Sequence, residues 1–109
     1  MLPKKNRLNK KEIAFLKEKQ QKVLQGDFFG LIVSPSSEKK FGLIISAKIA
    51  KKAVERNRVK RLLYRVIESN FWDKPGFFLF LAKKTCLLAD SENLQKEILS
   101  FKKKVFSIK

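Results

Sequence analysis

Between residues 56 and 67 the apolar side chains are Val59, Leu62, Leu63, Val66 and Ile67. Their gaps of three and one place them in one stripe of a helix turning about 100° per residue. Arg56, Asn57, Arg58, Lys60, Arg61, Tyr64 and Arg65 fill the rest of the arc. The segment therefore predicts an amphipathic helix, one side buried and the other a band of cations in water. Val54 falls on the cationic side, so residues 49–54 are expected to form a turn and the first helical turn.

Elsewhere the pattern changes period. Residues 28–33 (FFGLIV) and 41–47 (FGLIISA) are rich in aromatic and β-branched residues and read as strands. The polar stretch SPSSEKK between them, with Pro35, predicts that the two pair as a hairpin. Residues 76–82 (GFFLFLA) are apolar at nearly every position, as a strand covered on both faces would be. Leu94, Ile98, Phe101 and Val105 repeat at helical spacing and predict a last helix from Asp90-Ser91 onward. Asn9 followed by Glu12 forms a capping-box pattern, so a first helix is expected there. Its stripe would be Ile13, Leu16, Val23 and Leu24, ending at Gly26-Asp27, with a short strand at residues 23–27 as the alternative. Residues 1–8 form a basic, extended lead-in. The order is helix, two or three strands, helix, strand, helix, which makes one α+β sandwich domain over residues 1–109.

Charge narrows the function. Twenty-six Lys and Arg against ten Asp and Glu give a formal charge of +16. Such an excess repels itself in a folded chain and points to an anionic partner, nucleic acid first and an anionic membrane surface second. Four of the five arginines lie between residues 56 and 65, while lysine dominates elsewhere. A guanidinium offers a planar fork of donors that matches phosphates and base edges, which an ammonium does not. The central helix is therefore expected to grip a polyanion.

Catalytic equipment is scarce. With no histidine, Ser-His triads, imidazole bases and imidazole metal sites are excluded. The acids are scattered singly, so no metal-binding carboxylate cluster is expected. Cys86 stands beside Leu87 and Leu88 and is expected to pack as a small apolar residue. Neither a leader-like apolar segment nor a membrane-length apolar run is visible, and the expected location is cytoplasmic.

The nine-residue run from Ala53 to Arg61, AVERNRVKR, resembles the signature of the bacterial ribonuclease P protein subunit. The Arg7-Leu8 opening, the strand residues Ser46 and Lys48, the apolar strand followed by Lys83 and the last amphipathic helix correspond in order. The chain departs from that pattern at Ala47 and Ala50, and in one extra residue between Ser46 and Ala53. The resemblance implies an αβββαβα order, a mixed sheet of about four strands with helices packed on it as a two-layer sandwich, and a left-handed crossover. It also implies a function. The subunit would join a catalytic ribonuclease P RNA and bind the 5′ leader of precursor tRNA, assisting endonucleolytic removal of the leader. The RNA would hold the Mg²⁺ ions, with no organic cofactor, no membrane and no further protein partner required. A structural RNA-binding protein of the ribosomal kind is the alternative.

On this reading Arg56, Asn57, Arg58, Lys60, Arg61 and Arg65 are expected to contact RNA. Ser46, Lys48, Lys51 and Lys52 join them where strand meets helix. Arg7, Ile13, Phe15 and Lys83 are the expected leader contacts. No catalytic residue is expected in the protein itself.

Overall fold

A computed structural model of the chain describes residues 4–18, 23–46, 48, 51–70, 75–88 and 90–106. Helix α1 (Lys10–Glu18) is followed by strands β1 (Val23–Gln25), β2 (Phe29–Ser34) and β3 (Lys39–Ile44). Helix α2 (Ala53–Asn70), strand β4 (Gly76–Ala82) and helix α3 (Ser91–Phe106) complete the αβββαβα order. The four strands form one mixed sheet in the order β1-β2-β4-β3.

The expected hairpin between β2 and β3 does not form, because β4 lies between them. It pairs antiparallel with β2, Leu31 opposite Phe80, and parallel with β3, Phe41 opposite Phe78. The reason lies in composition. β4 has apolar side chains on both faces and is buried best in the middle of the sheet, while β3 begins with Lys39 and Lys40 and tolerates an edge. β2 instead makes its hairpin with β1, Leu24 opposite Leu31.

Val23 and Leu24 are therefore strand residues, and α1 is assigned only to Glu18. Residues 19–22, over which the expected helix would have run on, lie outside the described residues. As strand neighbours Val23 and Leu24 point to opposite faces, and each joins a different cluster. The capping box forms as expected: the Glu12 amide donates to Asn9 Oδ1 (2.8 Å) and the Asn9 amide to Glu12 Oε1 (2.9 Å).

Alternation along the strands divides the core in two. Phe29, Leu31, Phe41, Phe78 and Phe80 meet Val59, Leu63 and Ile67 of α2, and Leu94, Ile98 and Phe101 of α3. Ile32 and Leu79 face the other way and meet Leu8 and Leu16. Two long helices thus cover one face, while α1 and the N-terminal segment form a partial third layer on the other. Gly42 permits that second packing, since a Cβ there would lie 3.0 Å from Leu8 Cδ1. Cys86 is buried as expected, in a short 3-10 helix (Lys84–Leu88).

The lead-in is not simply extended. Lys4–Asn6 make one 3-10 turn, and Arg7 then bridges Phe41 in parallel sense. The Leu8 amide donates to the Phe41 carbonyl (2.8 Å) and Asn6 Nδ2 to the Lys39 carbonyl (2.7 Å). A short strap therefore covers the start of the β3 edge before the chain turns into α1.

Candidate nucleic-acid interface

The face of α2 that leaves the core does not form one uniform band. Arg56, Lys60 and Tyr64 succeed one another at i, i+4 and i+8 and form a row along one flank. This row and Asn57 make one wall of a cleft of about 820 Å³. The strap (Arg7, Leu8, Asn9) and Ile13 of α1 also line it, as do Lys40 and residues 42–45 at β3. Among the described residues four cations line the cleft and no carboxylate does.

Tyr64 is buried, with 4% of its surface exposed, whereas the sequence placed it on the polar face. It sits where the apolar arc of α2 meets the cleft, a position that suits an apolar ring with one polar tip. The Lys60 ammonium lies over its ring, 5.8 Å from the centroid. Burial pushes the pKa of its hydroxyl above the usual phenol range, and the nearby Arg7 charge partly opposes that. Arg7 Nε is itself buried, with no hydrogen-bond partner among the described residues.

Lys40, also in the cleft, has carboxylate neighbours. Its ammonium lies 2.7 Å from Glu12 Oε2 and 3.3 Å from Glu38 Oε2. Burial pushes the Glu12 carboxyl up, but the Lys40 hydrogen bond, the Asn9 amide and the Lys40 charge outweigh it, and the net direction is down. The Lys40 ammonium is held above the ordinary lysine range, first by its bond to Glu12. Glu12 thus caps α1 and fastens it to β3.

The remaining cations of α2 lie on its other flank. Arg58, Arg61 and Arg65 are exposed. Arg58 also has an internal role, since its Nη2 donates to the Leu87 carbonyl (2.9 Å) and ties α2 to the 3-10 helix after β4. Arg56 Nη1 donates to the Lys51 carbonyl (3.1 Å), bracing the approach to the helix. Ser46, Lys48, Lys51 and Lys52 are exposed between β3 and α2; Ala47 and Ala50 lie outside the described residues.

The expected leader contacts are not brought together as a set. Arg7 and Ile13 line the cleft, whereas Phe15 and Lys83 do not. Phe15 is 46% exposed on α1. Lys83 is drawn into the β1–β2 turn, where its ammonium donates to the Gly26 carbonyl (2.6 Å). Sequence reasoning missed Lys40 and the β3 backbone as parts of the cleft. The capping box was a partial signal, since it fixes where Glu12 points.

Among the described residues no group of three or more Cys, Asp or Glu side chains is placed to hold a metal ion. No described helix is long and apolar enough to cross a membrane.

Comparison with known proteins agrees with this geometry. The chain is 35% identical over 72 residues to the ribonuclease P protein component of Nitratiruptor sp., covering 65% of each chain. It is 28% identical over 76 residues to that of Coprothermobacter proteolyticus, covering 70% of this chain and 63% of the relative. These matches span slightly under two thirds of either relative's length. The solved RNase P protein of Staphylococcus aureus superposes with a TM-score of 0.78 over 93% of this chain and 95% of its own. At 15% identity that likeness establishes the shared fold. The family model for ribonuclease P matches residues 2–105. With that match spanning nearly every residue, and with a basic helix and cleft on the shared fold, the chain belongs to the ribonuclease P protein family.

Proposed function

We propose that this chain is the protein subunit of a ribonuclease P, binding a catalytic RNA and the 5′ leader of precursor tRNA during tRNA 5′ maturation in the cytoplasm. The observation that carries the reading is the cleft whose lining, among the described residues, includes Arg7, Lys40, Arg56 and Lys60 but no carboxylate, beside the exposed Arg61 and Arg65. Two cationic surfaces on either flank of one helix suit two RNA elements. The exposed flank, with Ser46, Lys48, Lys51 and Lys52, faces the catalytic RNA. The cleft, with Arg7 and Ile13, takes the single-stranded leader, and Phe15 extends that path along α1. Lys83 contributes through the turn it holds.

On this reading the RNA holds the Mg²⁺ that the reaction uses. The protein supplies affinity and orientation. Electrostatic neutralisation at the helix lowers the repulsion between two RNAs brought together, and thereby the divalent-ion concentration needed.

Reconstitution tests this. Added to a bacterial ribonuclease P RNA, the chain should restore precursor-tRNA cleavage at low Mg²⁺, and rigorously RNA-free protein should not cleave. Failure to activate the RNA, or cleavage without it, would overturn the reading.

A further inference from the structure

β3 carries an exposed strip of backbone inside the cleft. Its direction is fixed by three hydrogen bonds. The Glu38 carbonyl accepts from the Gly76 amide (2.8 Å), so its peptide group faces β4. The Lys39 and Phe41 carbonyls accept from Asn6 and Leu8, so they face the opposite edge. Peptide groups alternate along a strand, and that of Leu43 therefore faces outward with Phe41. The strap leaves this edge after Leu8, because Asn9 turns away to cap α1. Leu43 consequently lines the cleft with an outward amide and carbonyl that no described residue engages.

We propose that this open edge of β3 holds an unstacked base of single-stranded RNA, with the Leu43 amide and carbonyl as its donor and acceptor. The inference rests on the reading of the cleft as the leader's path and adds the atoms that recognise it. A phosphate offers acceptors alone, so it would satisfy the amide and repel the carbonyl. A base edge places a donor beside an acceptor and satisfies both. Arg7, Arg56 and Lys60 are arranged around the strip, where they neutralise the phosphates on either side of that base. The surrounding cations give affinity, and the strand edge adds a contact that depends on a base being present.

The test replaces Leu43 by its α-hydroxy analogue, which exchanges the amide N–H for an ester oxygen and leaves every side chain in place. Holoenzyme is reconstituted with each protein and titrated with precursor tRNA carrying a long leader or a single leader nucleotide. The ester should weaken binding of the long-leader substrate about tenfold, the loss of one well-placed hydrogen bond, and leave the short one unchanged. Removing the base at one leader position should weaken the unmodified complex by a similar factor and the ester complex no further. Equal effects on both substrates, or no effect, overturn the proposal while cleavage still supports the assigned function. An unmodified chain that fails to activate the RNA overturns both. If the ester chain does not fold, amide exchange in the unmodified holoenzyme decides. Protection of the Leu43 amide by the long leader alone is expected, and exchange indifferent to the leader removes the proposal.

Discussion

The Glu97 carboxylate occupies the space beside Gly26 where any larger residue would place its side chain: a Cβ on Gly26 would lie 2.5 Å from Glu97 Cδ. From there the carboxylate accepts from the amides of Asp27 (2.5 Å), Phe28 (3.0 Å) and Phe29 (2.9 Å). One side chain of α3 thus satisfies the turn between β1 and β2. The Lys83 ammonium and the Thr85 hydroxyl donate to the carbonyls of Gly26 and Asp27 on the same turn.

Glu97→Ala should therefore destabilise the fold by about 1–3 kcal/mol, since it leaves part-buried amides without their acceptor. Gly26→Ala should cost a similar amount by displacing the same carboxylate. The double variant should lose much less than the sum, because both changes break one arrangement. Urea unfolding of the four proteins measures this. Additive losses would show that the turn and Glu97 act separately.

The Glu12–Lys40 pair makes the docking of α1 sensitive to acid. The Glu12 carboxyl is held below its ordinary value, so its contribution is present above the unfolded pKa of about 4.3 and is lost as pH falls through the folded value. Lys40 is shifted upward, so its share persists until alkaline pH. The unmodified protein should melt above Glu12→Gln at pH 6–8, and the gap should close below about pH 4. A gap independent of pH would show that the Glu12 charge is not its source, since glutamine keeps the capping acceptor.

Arginine substitutions on α2 should separate by flank. Arg61→Ala and Arg65→Ala should weaken RNA binding while changing stability by about 0.5 kcal/mol or less, as exposed positions do. Arg58→Ala should additionally lower stability by about 1 kcal/mol, because the Leu87 carbonyl loses its donor. Melting curves beside RNA titrations separate the two effects. Equal stabilities for all three variants would show that the Arg58 bond is dispensable.

Replacing Arg56, Arg58, Arg61 and Arg65 by lysine keeps the charge and removes the guanidinium forks. The salt slope of log K, about −0.7 to −0.9 per phosphate neutralised, should stay nearly unchanged. Affinity for the cognate catalytic RNA should fall, and affinity for a random duplex of equal length should fall less. Equal losses on both would make α2 a charge patch, with specificity held elsewhere.

What was legible in the sequence is what local periodicity encodes. The stripe of α3, the two-faced burial of β4 and the Asn9–Glu12 cap follow from residues a few positions apart, and all three form. The placement of β4 between β2 and β3 was not legible, because strand pairing is non-local and the polar turn at residues 34–40 suits a hairpin just as well. The Ala53–Arg61 run located α2 and its cations, but not how they divide. Tyr64 joins the core and Arg58 reaches Leu87 because of what packs beside them, and one helix's periodicity carries no record of its neighbours. The cleft was half visible: its side chains Arg7, Ile13, Arg56 and Lys60 stand out, while the β3 backbone has no residue-type signal at all.

The position of β4 also sets an order of assembly. As the chain is made from its N-terminus, β1 and β2 can pair early, but β3 meets its sheet partner only when Gly76–Ala82 has been synthesised. All of α2 is therefore made before the Phe78 and Phe80 surface on which Leu63 and Ile67 pack. Arg56 and Lys60 are thus held in place opposite β3 only after the last strand has threaded between its neighbours. A nascent chain ending before residue 76 should bind RNA as a loose polycation, with no preference for its cognate partner. On the proposed function, specific recognition is expected only once the final strand is in place, so that the topology itself would keep unfinished chains out of the ribonucleoprotein.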